Sequence, residues 1–599
     1  MCRRSGFTSM NNMNSTSTRP ERWFIGVLDA ILVGVIVAWA WEVSRHFVMQ
    51  IVFILAAFAL CLLLVLSVAA WRHGFHRCFS RRALRFYGWL LVGIISVIVL
   101  FYAEEGWRGK RAWAALQREV AARGESLELS SVAPPPVPEE ENFALAPGVA
   151  KVLGYAEQVP GLPPTPSDTV PEFISFKENH HQNRPVANWE FQQATDLAAW
   201  QNFFRQYPLD SSEPADSTLS RLAFPVAPEP QAPAADVLLA LSRYDSALAA
   251  LRAANQRPKV RYPIAYDDGL FALHRRHQPF EENLRTAVRI LSLRAVAELA
   301  QDRSDAALQD TLLALRLADS LQQEPYDQLH RSRAAMLRLS LQPVWEGLAG
   351  HRWNEAQLLT LQQRFAGMDL LAEFRLRVRG ETLAMMNLAD QFQAFLDGRG
   401  SAWGRELASA HGDDLAWLWV FRLAYPVGWL YQDKAWIYRF YERRSDVSKA
   451  LGVANQQQWS AELRRATDPA LVIMVVPKLR EVFQAGARGA LYVQTACQEA
   501  AVACALERCR LAQGQYPASL DAMIPVWLEQ VPGDLLAPSG APLKYRREAD
   551  GGFVLYSVGL NRVDDQGKPA RPDKDWRGIQ SDSPRLSEGD WVWSQPSRK

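Results

Sequence analysis

Hydrophobic residues cluster most densely in the first hundred positions, where they form three long apolar runs. The runs cover residues 23–41, 47–71 and 86–103, and only the first of them contains a charged residue. A helix needs about 20 apolar residues to cross the hydrocarbon core of a bilayer. The pattern therefore predicts a three-span transmembrane block over residues 23–103, preceded by a polar, disordered N-terminus over residues 1–22.

The positive-inside rule gives these spans an orientation, because cytoplasmic loops carry an excess of Lys and Arg. Arg45 is the only Lys or Arg residue between the first two spans. The arginines on the opposite side are Arg3, Arg4, Arg19, Arg22, Arg72, Arg77, Arg81, Arg82 and Arg85. We therefore predict a cytoplasmic N-terminus, with residues 104–599 on the periplasmic side of a bacterial inner membrane. Arg108, Lys110 and Arg111, directly after the third span, oppose this orientation.

Beyond the membrane block, the hydrophobic spacing predicts a juxtamembrane helix within residues 104–132 and a large helical domain over residues 235–476. Residues 133–234 are rich in proline and polar residues, which predicts a linker with one small packed segment. Residues 291–341 resemble tetratricopeptide repeats, because they contain helices paired through similar loops. A regular register of about 34 residues is missing. An irregular helical domain and a repeat domain both stay open.

The C-terminal residues 477–599 predict a small α+β module. A long helix from Pro477 ends at Gly514, since a glycine commonly stops a helix, and Pro517 starts a further short helix. Asp550–Gly552 lies between two apolar runs, which indicates a β-hairpin. The predicted fold class is a mainly α-helical membrane protein with three spans, a helical extracytoplasmic domain and an α+β module.

The order of turn residues in this module resembles the globular part of type II secretion pseudopilins. In that family a long helix ends in a Gly-x-Tyr-Pro turn, and an Asp-Pro-x-Gly-x-Pro-x-x-Tyr stretch leads to a hairpin ending in Ser-x-Gly. The matching residues are Gly514, Tyr516, Pro517, Leu520, Pro538, Gly540, Pro542, Tyr545, Ser557 and Gly559. Ala537 stands where the family has aspartate, and three spans stand where it has one N-terminal helix. The whole chain resembles large bacterial multi-span membrane proteins that carry such a tail.

The resemblance implies a calcium-binding loop, because some pseudopilins bind calcium in the acidic segment after the hairpin. The corresponding ligands are Asn561, Asp564 and Asp565, with Asp573 or Asp575 behind them. Calcium takes about six to eight oxygen ligands, often from flexible loops. The alternative interpretation is a solvated acidic turn that holds no metal.

Composition and motifs further limit the partners and activities that the sequence supports. The net charge of +2 gives no support to a nucleic-acid partner. Cys497, Cys504 and Cys509 lie on one predicted helix at separations too long for disulfides, so we expect small core residues. The sequence contains no Gly-x-Ser-x-Gly, His-Glu-x-x-His, P-loop or dinucleotide-binding motif, and it predicts no catalytic residue.

These observations favour a membrane-anchored extracytoplasmic interaction or scaffold protein, whose partners are the membrane and other proteins, in an envelope or secretion process. A membrane-tethered hydrolase or processing enzyme without a familiar motif is one alternative. A component of an oligomeric transporter is another, although most of the chain lies outside the spans. The oligomeric state stays open.

Overall fold

The computed structural model describes residues 81–156, 159, 185–206, 224–266, 279–397, 426–442, 470–537, 540–569, 572–574, 580–584 and 588–594. The first two predicted spans lie outside these residues. Described residues up to Trp107, together with Ala470, belong to one compact unit, and all the others belong to a second. Helices and strands are numbered below in chain order among the described residues.

Helix α1 (Arg81–Ala122) contains the third predicted span. Among the described residues it is the one helix long and apolar enough to cross a membrane. None of its apolar window is buried, and Trp89 and Leu100 are 76% and 68% exposed. The predicted juxtamembrane helix continues this span without a break and ends before Gly124, whose φ of +70° stops it. The finding confirms a helix suited to a membrane, while the number of spans stays a prediction.

Four short helices precede the main helical domain: α2 (Pro147–Leu153), α3 (Leu197–Gln206), α4 (Pro233–Leu241) and α5 (Asp245–Ala254). Helix α3 packs against α4, and α2 packs against α5. Apolar residues drive this packing: three aromatic side chains of α3 are buried against each other, Trp200, Phe203 and Phe204. Part of the proline-rich region is thus a folded layer on the helical domain.

The main domain consists of α6 (Pro279–Ala300), α7 (Ser304–Asp319), α8 (Asp327–Ala349), α9 (Glu355–Ala366), α10 (Leu370–Leu396) and α11 (Val427–Glu442). Helix α6 packs against α7 and α8, α7 also packs against α8, and α10 packs against α8 and α11. Apolar side chains at helical spacing form the core, including Leu284, Leu291 and Leu317, which are fully buried. The predicted helical domain is confirmed as helical.

Helix α12 (Ala470–Gln513) begins before Pro477, the start that the sequence predicts. A stripe of small residues along it, which includes Gly486, Cys497, Ala500 and Cys504, faces the core. Cys497, Cys504 and Cys509 are free, buried thiols, as expected. Gln494 fixes it to the start of α10: Oε1 accepts from the Leu370 main-chain N–H at 2.7 Å, and Nε2 donates to the Met368 carbonyl at 3.1 Å. The helix therefore belongs to the core of the helical domain.

After Gly514 (φ +77°), the chain forms a three-stranded antiparallel sheet in the order β1-β2-β5. Strands β1 (Lys544–Arg547) and β2 (Phe553–Ser557) are the predicted hairpin, while β5 (Trp591–Ser594) is an additional strand on β2. Strands β3 (Pro572–Lys574) and β4 (Gln580–Pro584) pair separately. The short helix expected at Pro517 is a 3-10 turn over Asp521–Met523. The predicted hairpin is confirmed as part of a small antiparallel sheet, while its grouping with the long helix into a separate module stays a prediction.

Candidate functional site

The sequence-predicted calcium residues lie in the loop that follows β2. Asn561 Nδ2 donates to Asp565 Oδ2 at 2.8 Å, and Asn561 Oδ1 accepts from the Val563 main-chain N–H at 3.0 Å. Asp564 Oδ1 accepts from the Tyr556 hydroxyl at 3.0 Å. The structure thus brings Asn561 and Asp565 together and turns Asp564 toward the sheet. Asp573 lies in β3, and Asp575 lies outside the described residues.

Asp590, the residue directly before β5, is a further acid beside this loop that the sequence does not reveal. It is 1% exposed; Oδ1 accepts from the Asp565 main-chain N–H at 3.2 Å and Oδ2 from that of Gly567 at 2.7 Å. Burial raises the pKa of Asp590, main-chain hydrogen bonds oppose that rise, and the charges of Asp565 and Asp564 add to it. Asp590 is distant in sequence from the other acids of this group, and it lies beside them only because β5 pairs with β2.

These side chains do not form a ready metal site. In the part of the chain that the structure describes, no three His, Cys, Asp or Glu side chains are arranged to hold an ion. Asn561 bonds Asp565, Asp564 bonds Tyr556, and Asp590 bonds main-chain N–H groups. In this arrangement the oxygens accept hydrogen bonds within the protein, so calcium binding stays a prediction, and no step of the function proposed below depends on it.

A second concentration of charged groups lies inside the helical domain, where sequence patterns predict only apolar packing. Arg333 of α8 is 1% exposed and forms two hydrogen bonds of 2.8 Å with Glu373 of α10, which is 6% exposed. Arg333 also pairs with Asp319 of α7 at 3.2 Å, and Asp319 pairs with Arg364 of α9. One ionic cluster thus connects four helices.

A neighbouring cluster lies at the N-terminus of α8. The Asp327 carboxylate pairs with Arg377 Nε at 2.6 Å and with Arg331 Nε at 3.0 Å. The Asp327 main-chain N–H donates to Glu381 at 3.0 Å. Burial raises the pKa of Glu381 to about 7, and the charge of Asp327 adds to the rise.

Shifted pKa values are common at catalytic sites, so these groups need to be tested for that role. His330 lies beside the clusters, and burial together with the charge of Arg377 lowers its pKa to about 3. A general base works best with a pKa near the operating pH, so His330 is a poor base at neutral pH. Arg333 and Glu373 are engaged with each other. For His330, Arg333 and Glu373 the geometry favours structural roles over acid–base catalysis.

Glu324 gives a pH-dependent prediction. It is 2% exposed and accepts a 2.8 Å hydrogen bond from Tyr266; burial raises its pKa from 4.5 to about 7, while Tyr266 and Arg261 oppose the rise. The folded state keeps a proton that the unfolded state loses, so stability falls as pH rises from 4.5 to about 7. Glu324→Gln should leave stability unchanged near pH 4 and raise it above pH 7, by at most about 3 kcal/mol.

Thermal midpoints of the wild type and Glu324→Gln across this pH range test the prediction. Glu355→Gln, the same substitution at an exposed residue, provides the control. Parallel profiles for the wild type and Glu324→Gln would show that Glu324 is ionised in the folded protein.

Comparison with known proteins adds no relatives: no family model, no curated protein and no solved structure matches this chain.

Proposed function

We propose that this protein is a membrane-anchored extracytoplasmic interaction protein, in which the helical domain and the C-terminal module form one surface for protein partners. The observation that carries the proposal is the exposed apolar segment of α1, none of whose apolar window is buried. A contiguous exposed apolar surface such as this segment is unfavourable in water, so it marks contact with lipid or protein. Its length suits a bilayer, which favours lipid.

The firm attachment of the C-terminal module to the helical domain supports the interaction role. His351 Nδ1 lies 2.8 Å from Glu507 of α12, and Glu507 also accepts a 2.6 Å hydrogen bond from Tyr516 of the module. Gln362 of α9 donates to the Trp527 carbonyl at 2.8 Å. A partner that contacts the module therefore meets a surface already ordered by the helical domain, which lowers the entropy cost of binding.

The module also offers an exposed apolar loop. Ile524 and Val526 are 40% and 69% exposed, directly after the 3-10 turn. Together with the resemblance to pseudopilins, this loop supports a docking role in an envelope or secretion assembly. No specific observation favours the enzyme or the transporter alternative.

The orientation is tested with a tag after Lys599 and a different tag before Met1, in right-side-out membrane vesicles. We expect external protease to remove the C-terminal tag and to leave the N-terminal tag intact. Protection of the C-terminal tag would overturn the extracytoplasmic assignment and the secretion-related proposal with it. If neither tag sediments with membranes after a carbonate wash, the anchor itself is refuted.

Calcium binding at the acidic loop is a separate prediction from the pseudopilin resemblance. Adding millimolar CaCl2 to the full chain should raise its thermal midpoint, and a chelator should reverse the effect, because a ligand that binds only the folded state stabilises it. Asp565→Asn should abolish this response, whereas Asp521→Asn, at an exposed aspartate outside the loop, should keep it. An unchanged midpoint in the wild type would identify a loop held by its own hydrogen bonds.

A further inference from the structure

The C-terminal part of α1, which follows the third predicted span, has two opposite faces. Gly109, Leu116 and Val120 are buried, and their spacing of seven and four residues places them in one stripe along the helix. Gly109 lies against the main chain of Gly428 on α11, so this stripe faces the helical domain. At 100° per residue, the opposite face of the helix carries three exposed basic side chains, Lys110, Arg111 and Arg118.

The exposed charge directly after the span is positive. Residues 104–111 are all described by the structure, and Arg108, Lys110 and Arg111 are exposed among them. Glu104 is the one exposed acid of this stretch, since Glu105 is only 4% exposed. Cations that outnumber anions at the end of a membrane helix attract anionic groups of the lipid surface.

Two of these basic residues are within reach of lipid headgroups. The apolar run ends at Ala103, and at a rise of about 1.5 Å per residue Lys110 and Arg111 lie about 10–12 Å beyond it. The headgroup layer covers roughly 5–8 Å on each side of the hydrocarbon core. Side chains of a helix tilt toward its N-terminus, which in α1 is the direction of the apolar run. Long Lys and Arg side chains therefore extend from these positions back into the headgroup layer.

We propose that Lys110 and Arg111 bind the headgroup phosphate of an anionic phospholipid that lies beside the apolar segment of α1. An ammonium group offers three N–H donors and a guanidinium five, and both bind phosphate oxygens through charge-assisted hydrogen bonds. Phosphatidylglycerol brings this phosphate without a cation of its own. Phosphatidylcholine also carries a quaternary ammonium, which the basic residues repel.

The occupant is a lipid and not a soluble anion, because the basic residues continue an apolar surface. None of the apolar window of α1 is buried, and Leu100, near its end, is 68% exposed. One phospholipid matches both features, since its acyl chains cover the apolar segment while its phosphate reaches Lys110 and Arg111. The inference rests on the membrane anchor proposed above, and it does not depend on which side of the membrane the helical domain occupies.

Native mass spectrometry of the full chain tests the proposal, with the detergent-solubilised protein equilibrated against equimolar phosphatidylglycerol and phosphatidylcholine. We expect the wild type to retain phosphatidylglycerol in preference to phosphatidylcholine. Lys110→Gln/Arg111→Gln should weaken binding of one phosphatidylglycerol molecule roughly 25-fold, because each Lys or Arg at an anionic lipid surface contributes roughly fivefold. Lys110→Arg/Arg111→Lys keeps both charges and should retain the lipid. Arg81, Arg82 and Arg85, at the other end of α1, are unchanged in every variant, so the differences report on residues 110 and 111.

Arg118→Gln is the matched control, because Arg118 lies on the same exposed face about 10 Å farther from the apolar run, and this variant should retain the lipid. Millimolar inorganic phosphate should not displace it, because phosphate alone does not cover the apolar segment. Equal retention of the two lipids by the wild type, unchanged retention in Lys110→Gln/Arg111→Gln, equal loss in Arg118→Gln or displacement by inorganic phosphate would overturn the proposal. Failure of the anchor itself is detected separately, by the carbonate wash of the wild type.

Discussion

Replacing Arg333 with methionine should cost about 3–5 kcal/mol of unfolding free energy, the typical effect of breaking a buried ion pair. The substitution removes the cation that neutralises Glu373, which is only 6% exposed and lies 2.8 Å from the guanidinium at both oxygens. It also removes the salt bridge to Asp319. Thermal unfolding of the detergent-solubilised protein, followed by tryptophan fluorescence, should show a large fall in the midpoint.

The double variant Arg333→Met/Glu373→Met distinguishes the net contribution of the ion pair to stability from the destabilisation caused by one unpaired buried charge. Two apolar side chains of similar length leave no buried ion at this pair, so most of the lost stability should return. Lys259→Met is the surface control, because its pair with Glu141 is roughly half exposed and such pairs contribute about 0–1 kcal/mol. If Arg333→Met lowers the midpoint no more than Lys259→Met, Glu373 is not an isolated buried charge.

The helices and the hairpin could be predicted because their signals are local. Leucines at helical spacing give one apolar face, and the α6–α7 and α8 regions follow that pattern. Gly514 and Gly551 both adopt positive φ, +77° and +88°, as helix stop and hairpin turn require. Such features depend on a few neighbouring residues, which a single sequence contains in full.

The buried ionic clusters could not be predicted, because their partners are distant in sequence. Arg333 and Glu373 each lie on a helix among other charged residues, and nothing local distinguishes them from solvated ones. Asp590 reaches the acidic loop only through the pairing of β5 with β2. His330 acquires its neutral state from burial and from Arg377, which lies on another helix. In each case the environment of the charged group depends on how the helices and strands pack together, which local sequence does not specify.

The packing of two helices also explains why residue 109 is a glycine. Gly109 of α1 and Gly428 of α11 are both buried at a helix crossing. A Cβ added to Gly109 would lie 2.0 Å from the Gly428 carbonyl oxygen and 2.8 Å from its Cα. These atoms are main chain, so neither helix can accommodate the methyl group without separating. Contacts beyond the crossing depend on the same approach, including Lys434 over the Trp113 ring at 4.0 Å and Arg123 with Glu442 at 2.5 Å.

Gly109→Ala should therefore destabilise the packing of α1 on α11 by about 1–3 kcal/mol, and Gly109→Leu by more, since overpacking forces backbone shifts. Gly106→Ala, one turn earlier on the same helix, provides a control of opposite sign. A Cβ at Gly106 meets nothing within 4 Å, so alanine should only gain helix propensity, about 1 kcal/mol. The two alanine variants should shift the thermal midpoint in opposite directions. A Gly109→Ala midpoint at or above the wild-type value would mean that α1 and α11 do not cross at these glycines.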